Sequence, residues 1–319
     1  MSSNELLELV RNSRNMRETG IALVLSSLML ALFLLFPLMQ KPPEPVATIE
    51  APATTTAAAF ANATLVQAKA VIVYDLATGK ILYEKNADTQ LPLASLTKLL
   101  TVYAALAEMS PSTPVTVPAS ALTADYPRAL NEGQTFTLGD IAKLTLTASL
   151  NDGAIAIAEA TASREQKPAP EALASAAAAL GLSQTYALNG SGLDVNSAVS
   201  GGYGSARDLA KLAGALVEKA PDIAYATTQA FTKAVSFGGT VLNVKNTDPM
   251  AITIPHLLLS KTGFTDLAGG NLVLVFDSAI RHAVAVVVLG STKDQRFTDA
   301  ARLVADTYAY FAGVQPKTI

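Results

Sequence analysis

The chain has 319 residues, half of them hydrophobic and 15% charged, with a net charge of −3. That is enough apolar sequence for a sizeable core in one large domain or two small ones, and it excludes the basic field of a nucleic-acid binder. The absence of cysteine excludes disulfides and thiolate metal sites; the only two histidines, His256 and His282, do not stand at a metal-like spacing, and both read as structural.

Residues 1–19 are polar and read as a cytoplasmic tail. "GIALVLSSLMLALFLLFPLM", residues 20–39, carries no charge. A run of about 20 apolar residues matches a bilayer core crossed as a helix. Its rival is a cleaved signal peptide, whose apolar core is usually about 7–15 residues and is followed by a small-residue cleavage site. Gln40, Lys41, Pro42 and Pro43 follow instead, which favours an uncleaved signal anchor. Arg11, Arg14 and Arg17 precede the run and only Lys41 follows closely. The positive-inside rule then expects a cytoplasmic N-terminus and an extracytoplasmic body, on the periplasmic or cell-wall side. Residues 40–65, rich in Pro, Ala and Thr, read as a tether.

From 66 to 319 the patterns are those of a globular domain. "AVIVYDLATGKILYEK" is two alternating runs around a glycine turn, hence a hairpin. Helical spacing follows in "SLTKLLTVYAALAEM", "TLGDIAKLTLTAS", "DGAIAIAEATA", "PEALASAAAALG" and "SARDLAKLAGALVEKA", with Gly181 placed as a C-cap. "HLLLSKTG", "NLVLVFDS" and "HAVAVVVLG" read as strands, and "DQRFTDAARLVADTYAYFAG" as a last amphipathic helix. Strands at both ends with helices between predict one sheet with a helical insert, the first hairpin pairing with the last strands.

Three short motifs carry chemistry. Ser95-Leu96-Thr97-Lys98 fits S-x-x-K, Ser149-Leu150-Asn151 fits S-x-N, and Lys261-Thr262-Gly263 is K-T-G. Each alone is weak, and S-x-N recurs without meaning at Ser2–Asn4 and Ser13–Asn15. Their order within one region is the signal. Ser95 is expected at a helix N-terminus, where exposed N–H groups favour developing negative charge. Lys98, one turn later, can act as a base only if burial and a second cation lower its pKa; Lys261 can be that cation. Otherwise Ser95 is a helix cap and Lys98 a solvated residue. Ser149 can relay a proton to a leaving amine and Asn151 can bind a substrate amide; alternatively Asn151 or Asp152 caps the next helix. Lys261 and Thr262 suit a terminal carboxylate, and Gly263 admits a close backbone. The N–H groups of Phe264 and Ser95 could form an oxyanion hole.

With these motifs in place the chain resembles the low-molecular-mass penicillin-binding proteins, the serine D-alanyl-D-alanine carboxypeptidases and endopeptidases. "YDLATGKILYEKNADTQLPLASLTKLLT", "SLNDGAIAIAE", "LNGSGLD", "GSARDLAKLA", "SKTGFTDLAGGNLV" and "QRFTDA" carry the likeness over nearly all of residues 66–315. The resemblance implies an α/β fold of the α+β, β-lactamase/transpeptidase-like type. Its antiparallel sheet would have about five strands, with helices on both faces and a helical insert. It implies that Ser95 attacks a D-Ala-D-Ala type bond in a peptidoglycan stem peptide, with Lys98 as base and Ser149 passing the proton on. Lys261 and Thr262 would hold the carboxylate, with Arg296 as a further candidate. β-Lactams would acylate Ser95, and no metal or cofactor is implied.

Many such carboxypeptidases continue into a small β-rich domain and a C-terminal amphipathic anchor, whereas this sequence ends soon after its last helix. Attachment is therefore expected at the N-terminus, and carboxypeptidase and endopeptidase both stay open. A class A β-lactamase is an alternative, but Leu150 stands where S-D-N has its aspartate, and Thr185 stands at the glutamate of E-x-x-L-N. A non-catalytic cell-wall or β-lactam sensor is another, although the short tail holds no recognisable signalling domain.

Overall fold

The computed structural model describes residues 60–279 and 282–313, together with residues 12, 16, 25–27 and 29. The chain divides into two units, Met1–Ala51 and Pro52–Ile319. Most of the expected tail at 1–19 and of the apolar run at 20–39 lies outside the described residues, as do positions 40–59 of the expected tether. Among the described residues no helix is long and apolar enough to cross a membrane.

The second unit opens with a 3-10 turn, Ala61–Leu65, then β1 (Ala70–Asp75) and β2 (Ile81–Lys85). Strand β3 (Leu91–Pro92) leads through a second 3-10 turn, Ala94–Leu96, into α1 (Thr97–Glu108). Strands β4 (Pro114–Thr116) and β5 (Thr135–Thr137) form a ribbon ahead of α2 (Leu138–Ala148), α3 (Asn151–Glu165) and α4 (Ala169–Ala179). Strands β6 (Tyr186–Ala187) and β7 (Gly202–Gly204) join β3 in a small sheet. Helices α5 (Ala206–Lys219) and α6 (Pro221–Ala226) precede the hairpin β8 (Phe231–Val235) and β9 (Val241–Lys245). The chain closes with β10 (Leu257–Thr265), β11 (Gly269–Ala279), β12 (His282–Ser291) and α7 (Gln295–Phe311).

The main sheet has five strands in the order β10-β11-β12-β1-β2, every pair antiparallel. The first hairpin thus meets the last strands, as the pattern predicts. Alternation along a strand sends successive side chains to opposite faces. Ala70 and Ile72 of β1 join Val287 and Leu289 in a core shared with α1, α2 and α5. Val71 and Val73 join Val286, Val288 and residues Ala300 and Leu303 of α7 on the other face. Both faces are therefore covered, and the strands read as near-continuous apolar runs.

Local signals fix the helix ends. The Thr137 hydroxyl accepts from Asp140 N at 3.1 Å to cap α2, and the Ser205 hydroxyl accepts from Asp208 N at 3.1 Å to cap α5. Beyond α4, Gly181 takes φ +67° and Leu182 N donates to Ala177 O, the expected left-handed stop. His282 faces Asp75, Nε2 to Oδ2 at 2.7 Å, a structural partner at the strand end.

Two features depart from the sequence reading. Among the described residues, positions 60–65 are packed rather than part of a tether: Phe60 is buried against Tyr83 and Tyr310. Asn62 donates from its backbone and its amide to Asp306 of α7. Burying one such phenylalanine stabilises by roughly 1.5–3 kcal/mol. The hairpin β8–β9 was also not expected, although "FTKAVSFGGTVLNVK" alternates around a Gly-Gly turn.

Candidate active site

The nucleophile candidate sits in a strand-to-helix turn. Ser95 lies in the 3-10 turn ahead of α1, a little before the expected helix start; the N-cap of α1 is Leu96. The preceding Ala94 takes φ +49°, a left-handed conformation that a non-glycine residue adopts at a cost of about 1 kcal/mol. Three tertiary contacts hold the turn. Leu93 N donates to Gly202 O at 2.9 Å, and the buried Asn271 amide of β11 donates to Pro92 O at 3.0 Å and Leu93 O at 3.1 Å. Gly263 supplies the third: a Cβ there would lie 2.9 Å from Leu93 O and 3.3 Å from Ser95 N. The space expected to admit a substrate backbone is taken by the nucleophile turn itself, and the K-T-G strand abuts the Ser95 amide. Ser95 is half-buried.

Lys98 is 0% exposed and its Nζ has three partners. These are Ser95 Oγ at 2.8 Å, Asn151 Oδ1 at 2.7 Å and Ser191 O at 2.7 Å. The last two can only accept. A neutral amine has two N–H groups and one lone pair, so with both N–H groups spent the lone pair faces the Ser95 hydroxyl. Burial drives the Lys98 pKa well below the ordinary lysine range; the charge of Lys261 adds to this and Asp152 opposes it. The amine is thus suited to take a proton from Ser95.

Asn151 is fully engaged: its Nδ2 donates to Asp125 O at 2.9 Å while its oxygen takes the Lys98 bond. The expectation that it binds a substrate amide gives way to a role in orienting the base. Neither Asn151 nor Asp152 caps α3, whose N-cap is Leu150 with no side-chain bond; Asp152 serves the preceding loop instead. Its Oδ2 accepts from Ala129 N at 2.8 Å and Leu130 N at 2.7 Å, pinning the loop below the site. Ser149 closes α2 in a left-handed conformation, φ +59° and ψ +35°. That sharp turn separates α2 from α3 and carries the Ser149 hydroxyl to Lys261 Nζ at 2.9 Å.

Lys261 is 1% exposed, and its second bond goes to Thr262 O at 2.7 Å. Burial first, and then the charge of Arg296, lower its pKa to about 7, with Asp248 opposing. Two of the three N–H groups of its ammonium are used, one on Ser149 and one on its own strand. Arg296 makes one hydrogen bond, Nη1 donating to Gly263 O at 2.6 Å; its guanidinium stacks on Phe297, and its buried Nε has no hydrogen-bond partner. Thr262 keeps its hydroxyl on Thr247 Oγ1, 2.7 Å away. Phe264 is 41% exposed beside Lys293.

The three motifs therefore converge, joined by residues the motifs do not contain. Asn189 Oδ1 accepts from Ser191 N, Ser191 Oγ and Gly192 N, which turns the Ser191 carbonyl onto Lys98. Gly192 at φ +75° passes so close to Ala94 that a Cβ would strike its carbonyl. The Asn-Gly-Ser-Gly run carries a turn signal, but nothing local says which lysine its carbonyl meets. Asp248, buried, accepts from Ser260 Oγ at 2.5 Å and from Met250 N at 2.7 Å; burial raises its pKa, and these two hydrogen bonds and the charges of Arg296 and Lys261 oppose the rise.

Known proteins resemble this chain in sequence and fold. The family model described as D-alanyl-D-alanine carboxypeptidase matches residues 54–293. D-alanyl-D-alanine carboxypeptidase DacC of Escherichia coli is 30% identical over 280 residues, 83% of this chain and 67% of that protein. A D-alanyl-D-alanine endopeptidase of Pseudomonas aeruginosa is 29% identical over 237 residues, 73% of this chain and 74% of that protein. The solved penicillin-binding protein D2 of Listeria monocytogenes, in its cefotaxime-bound form, superposes with a TM-score of 0.63 at 27% identity. That match covers 76% of this chain and 98% of the other. A serine and a buried lysine three residues apart, completed by S-x-N and K-T-G, thus stand in a chain that belongs to the D-alanyl-D-alanine carboxypeptidase family of serine peptidases, the low-molecular-mass penicillin-binding proteins.

Proposed function

We propose that this protein is a serine-type D-Ala-D-Ala carboxypeptidase acting on peptidoglycan stem peptides. The observation that carries the reading is Lys98 Nζ, held by two acceptors with its remaining position 2.8 Å from Ser95 Oγ. The neutral Lys98 amine takes the Ser95 proton as Oγ attacks the carbonyl of the penultimate residue. The tetrahedral oxyanion forms where the amides of Ser95 and Phe264 lie. Ser149, polarised by Lys261, passes its proton to the departing amine and is refilled by the proton that Lys98 took from Ser95, so terminal D-alanine leaves and Lys98 is neutral again. Water, activated by the regenerated Lys98, then hydrolyses the acyl-enzyme. Thr262 binds the terminal carboxylate, in the field of the buried Lys261 and Arg296. β-Lactams, as mimics of the substrate, acylate Ser95 by the same first step. No metal or cofactor enters these steps.

Residues 20–39 serve in this reading as a signal anchor that keeps the domain on the extracytoplasmic side, a proposal that rests on hydropathy and flanking charge alone. Fractionation with a reporter fused to either terminus tests it; a reporter at Ile319 that is active only in the cytoplasm would overturn the orientation.

The enzyme reading is tested by incubating purified protein with muropeptides and reading the products by mass spectrometry. Steady loss of one terminal alanine is expected, and Ser95→Ala abolishes both that activity and labelling by a fluorescent penicillin. Persistent labelling would place the nucleophile elsewhere; one round of acylation without turnover would favour a sensor. Cleavage of cross-linked dimers is the second reading, favoured by the likeness to the Pseudomonas endopeptidase. Rapid β-lactam hydrolysis is not expected. Thr185, at the position of the β-lactamase glutamate, donates its hydroxyl to Asp208 at 2.9 Å and offers no general base.

A further inference from the structure

In the site as built, the bonds that the two buried cations make run to the protein itself. Lys261 is bonded to Ser149 and to its own strand, and Arg296 to Gly263 O. The hydroxyl of Thr262 remains, but that residue is only 4% exposed. The group outside it is Thr247, an exposed residue on the loop after β9, whose Oγ1 lies 2.7 Å from Thr262 Oγ1. We infer that Thr247 is a second reader of the substrate's terminal carboxylate, pairing with Thr262 as a two-hydroxyl receptor.

The chemistry follows from counting protons. Two hydroxyls in contact use one proton between them, and the other has only a long partner, Thr147 O at 3.5 Å from Thr247 Oγ1, which a charged acceptor can replace. When a carboxylate arrives, both can turn outward and donate, one to each oxygen. Bonds to a charged acceptor are stronger than the hydroxyl–hydroxyl bond they replace. The buried charges of Lys261 and Arg296 lie behind the pair and favour the anion without touching it.

The loop is fixed on both sides of Thr247. Thr247 N donates to Thr147 O of α2 at 3.1 Å. Asn246 Nδ2 donates to Thr227 O at 2.6 Å and Gln229 O at 2.8 Å. Asp248, next in sequence, accepts from Ser260 Oγ, and Ser260 directly precedes Lys261. An exposed threonine held this firmly against the K-T-G strand is placed to bind, because its side chain loses little freedom on doing so.

This inference rests on Ser95 as nucleophile, so its test uses two boronic acids that bond to the nucleophilic serine, one carrying a carboxylate in the place of the substrate's and one lacking it. Wild-type protein should prefer the carboxylate form. Thr247→Val should weaken that form about tenfold or more, the value of a lost bond to a charged group, and leave the other unchanged. Thr247→Ser should restore the preference. In peptide hydrolysis the Val variant should raise KM more than it lowers kcat. A preference unchanged in Thr247→Val overturns the inference. Equal weakening of both boronates also overturns it, since Thr247 would then only shape the site. Wild-type protein that bonds to neither boronate would instead remove the nucleophile reading, and the inference with it.

Discussion

Lys98 and Lys261 are both buried, yet the regions around them solve different problems. Lys98 stands on α1, one turn after Ser95, and meets a carbonyl from the Asn189–Gly192 turn and an amide oxygen from α3. Its surroundings accept protons and hold the amine still. Lys261 stands on a sheet strand between Arg296 and Asp248, and its bond to Ser149 is its link to the chemistry. Burial lowers both pKa values and a carboxylate opposes each fall, Asp152 at Lys98 and Asp248 at Lys261; the second cation is Lys261 for the one and Arg296 for the other, and Lys261 is left at about 7. The contrast teaches that one site can hold a base and a proton donor of the same residue type, differing by which charges lie close.

The largest expected effect breaks the base. Lys98→Met keeps the volume and removes the lone pair, so acylation by a fluorescent penicillin should fall by about 10²–10⁴-fold. A rate within tenfold of wild type would show that another group deprotonates Ser95. Next comes the joint between the two regions. Gly263→Ala puts a Cβ 2.9 Å from Leu93 O and must push the nucleophile turn away from the strand. A displacement near 1 Å costs about 10²-fold, so acylation should fall by roughly that factor, and because the clash is with buried backbone the melting temperature should fall too. An unchanged rate would show that the strand and the turn are not held together at Gly263.

Asp248→Asn sharpens the electrostatic half of the comparison. Asp248 raises the Lys261 pKa, so removing its charge should lower that pKa below about 7. The alkaline limb of the pH profile of kcat/KM should then move to lower pH, with a change at the optimum below about tenfold. An unmoved limb would show that Asp248 acts only through its bond to Ser260.

The smallest effect is on stability. Unfolded lysines keep their protons to about pH 10.4, whereas Lys261 in the fold gives its proton up at about 7. Between these values the unfolded chain binds more protons, so stability rises with pH across that window, and below it the burial cost is felt in full. Lys261→Met should therefore raise the melting temperature at pH 7 by about 2–4 °C while slowing acylation, and should flatten the rise in stability between about pH 7 and 10. A lower melting temperature would show that the Ser149 bond outweighs the cost of burial.

Much of this protein was legible in order along the chain. The β1–β2 hairpin, the helices from α1 to α5, the three closing strands and α7 all follow local periodicity, because an apolar face must repeat with the period of its own element. S-x-x-K was readable for the same reason: a spacing of three puts Ser95 and Lys98 one turn apart. The fully used Asn151 amide, the carbonyl of Ser191, the clamp of Asn271 on Leu93 and the Thr247–Thr262 pair were not readable. Each joins positions distant in sequence, and no residue type or spacing states which backbone carbonyl will face which amine. The sequence by itself determined the motif residues, the order of elements and the pairing of first strands with last. Only the tertiary structure decided which of those residues are already spent on one another and which hydroxyls remain to meet a substrate. Hydrogen-bond partners are finite, and the count closes only when the distant segments are in place.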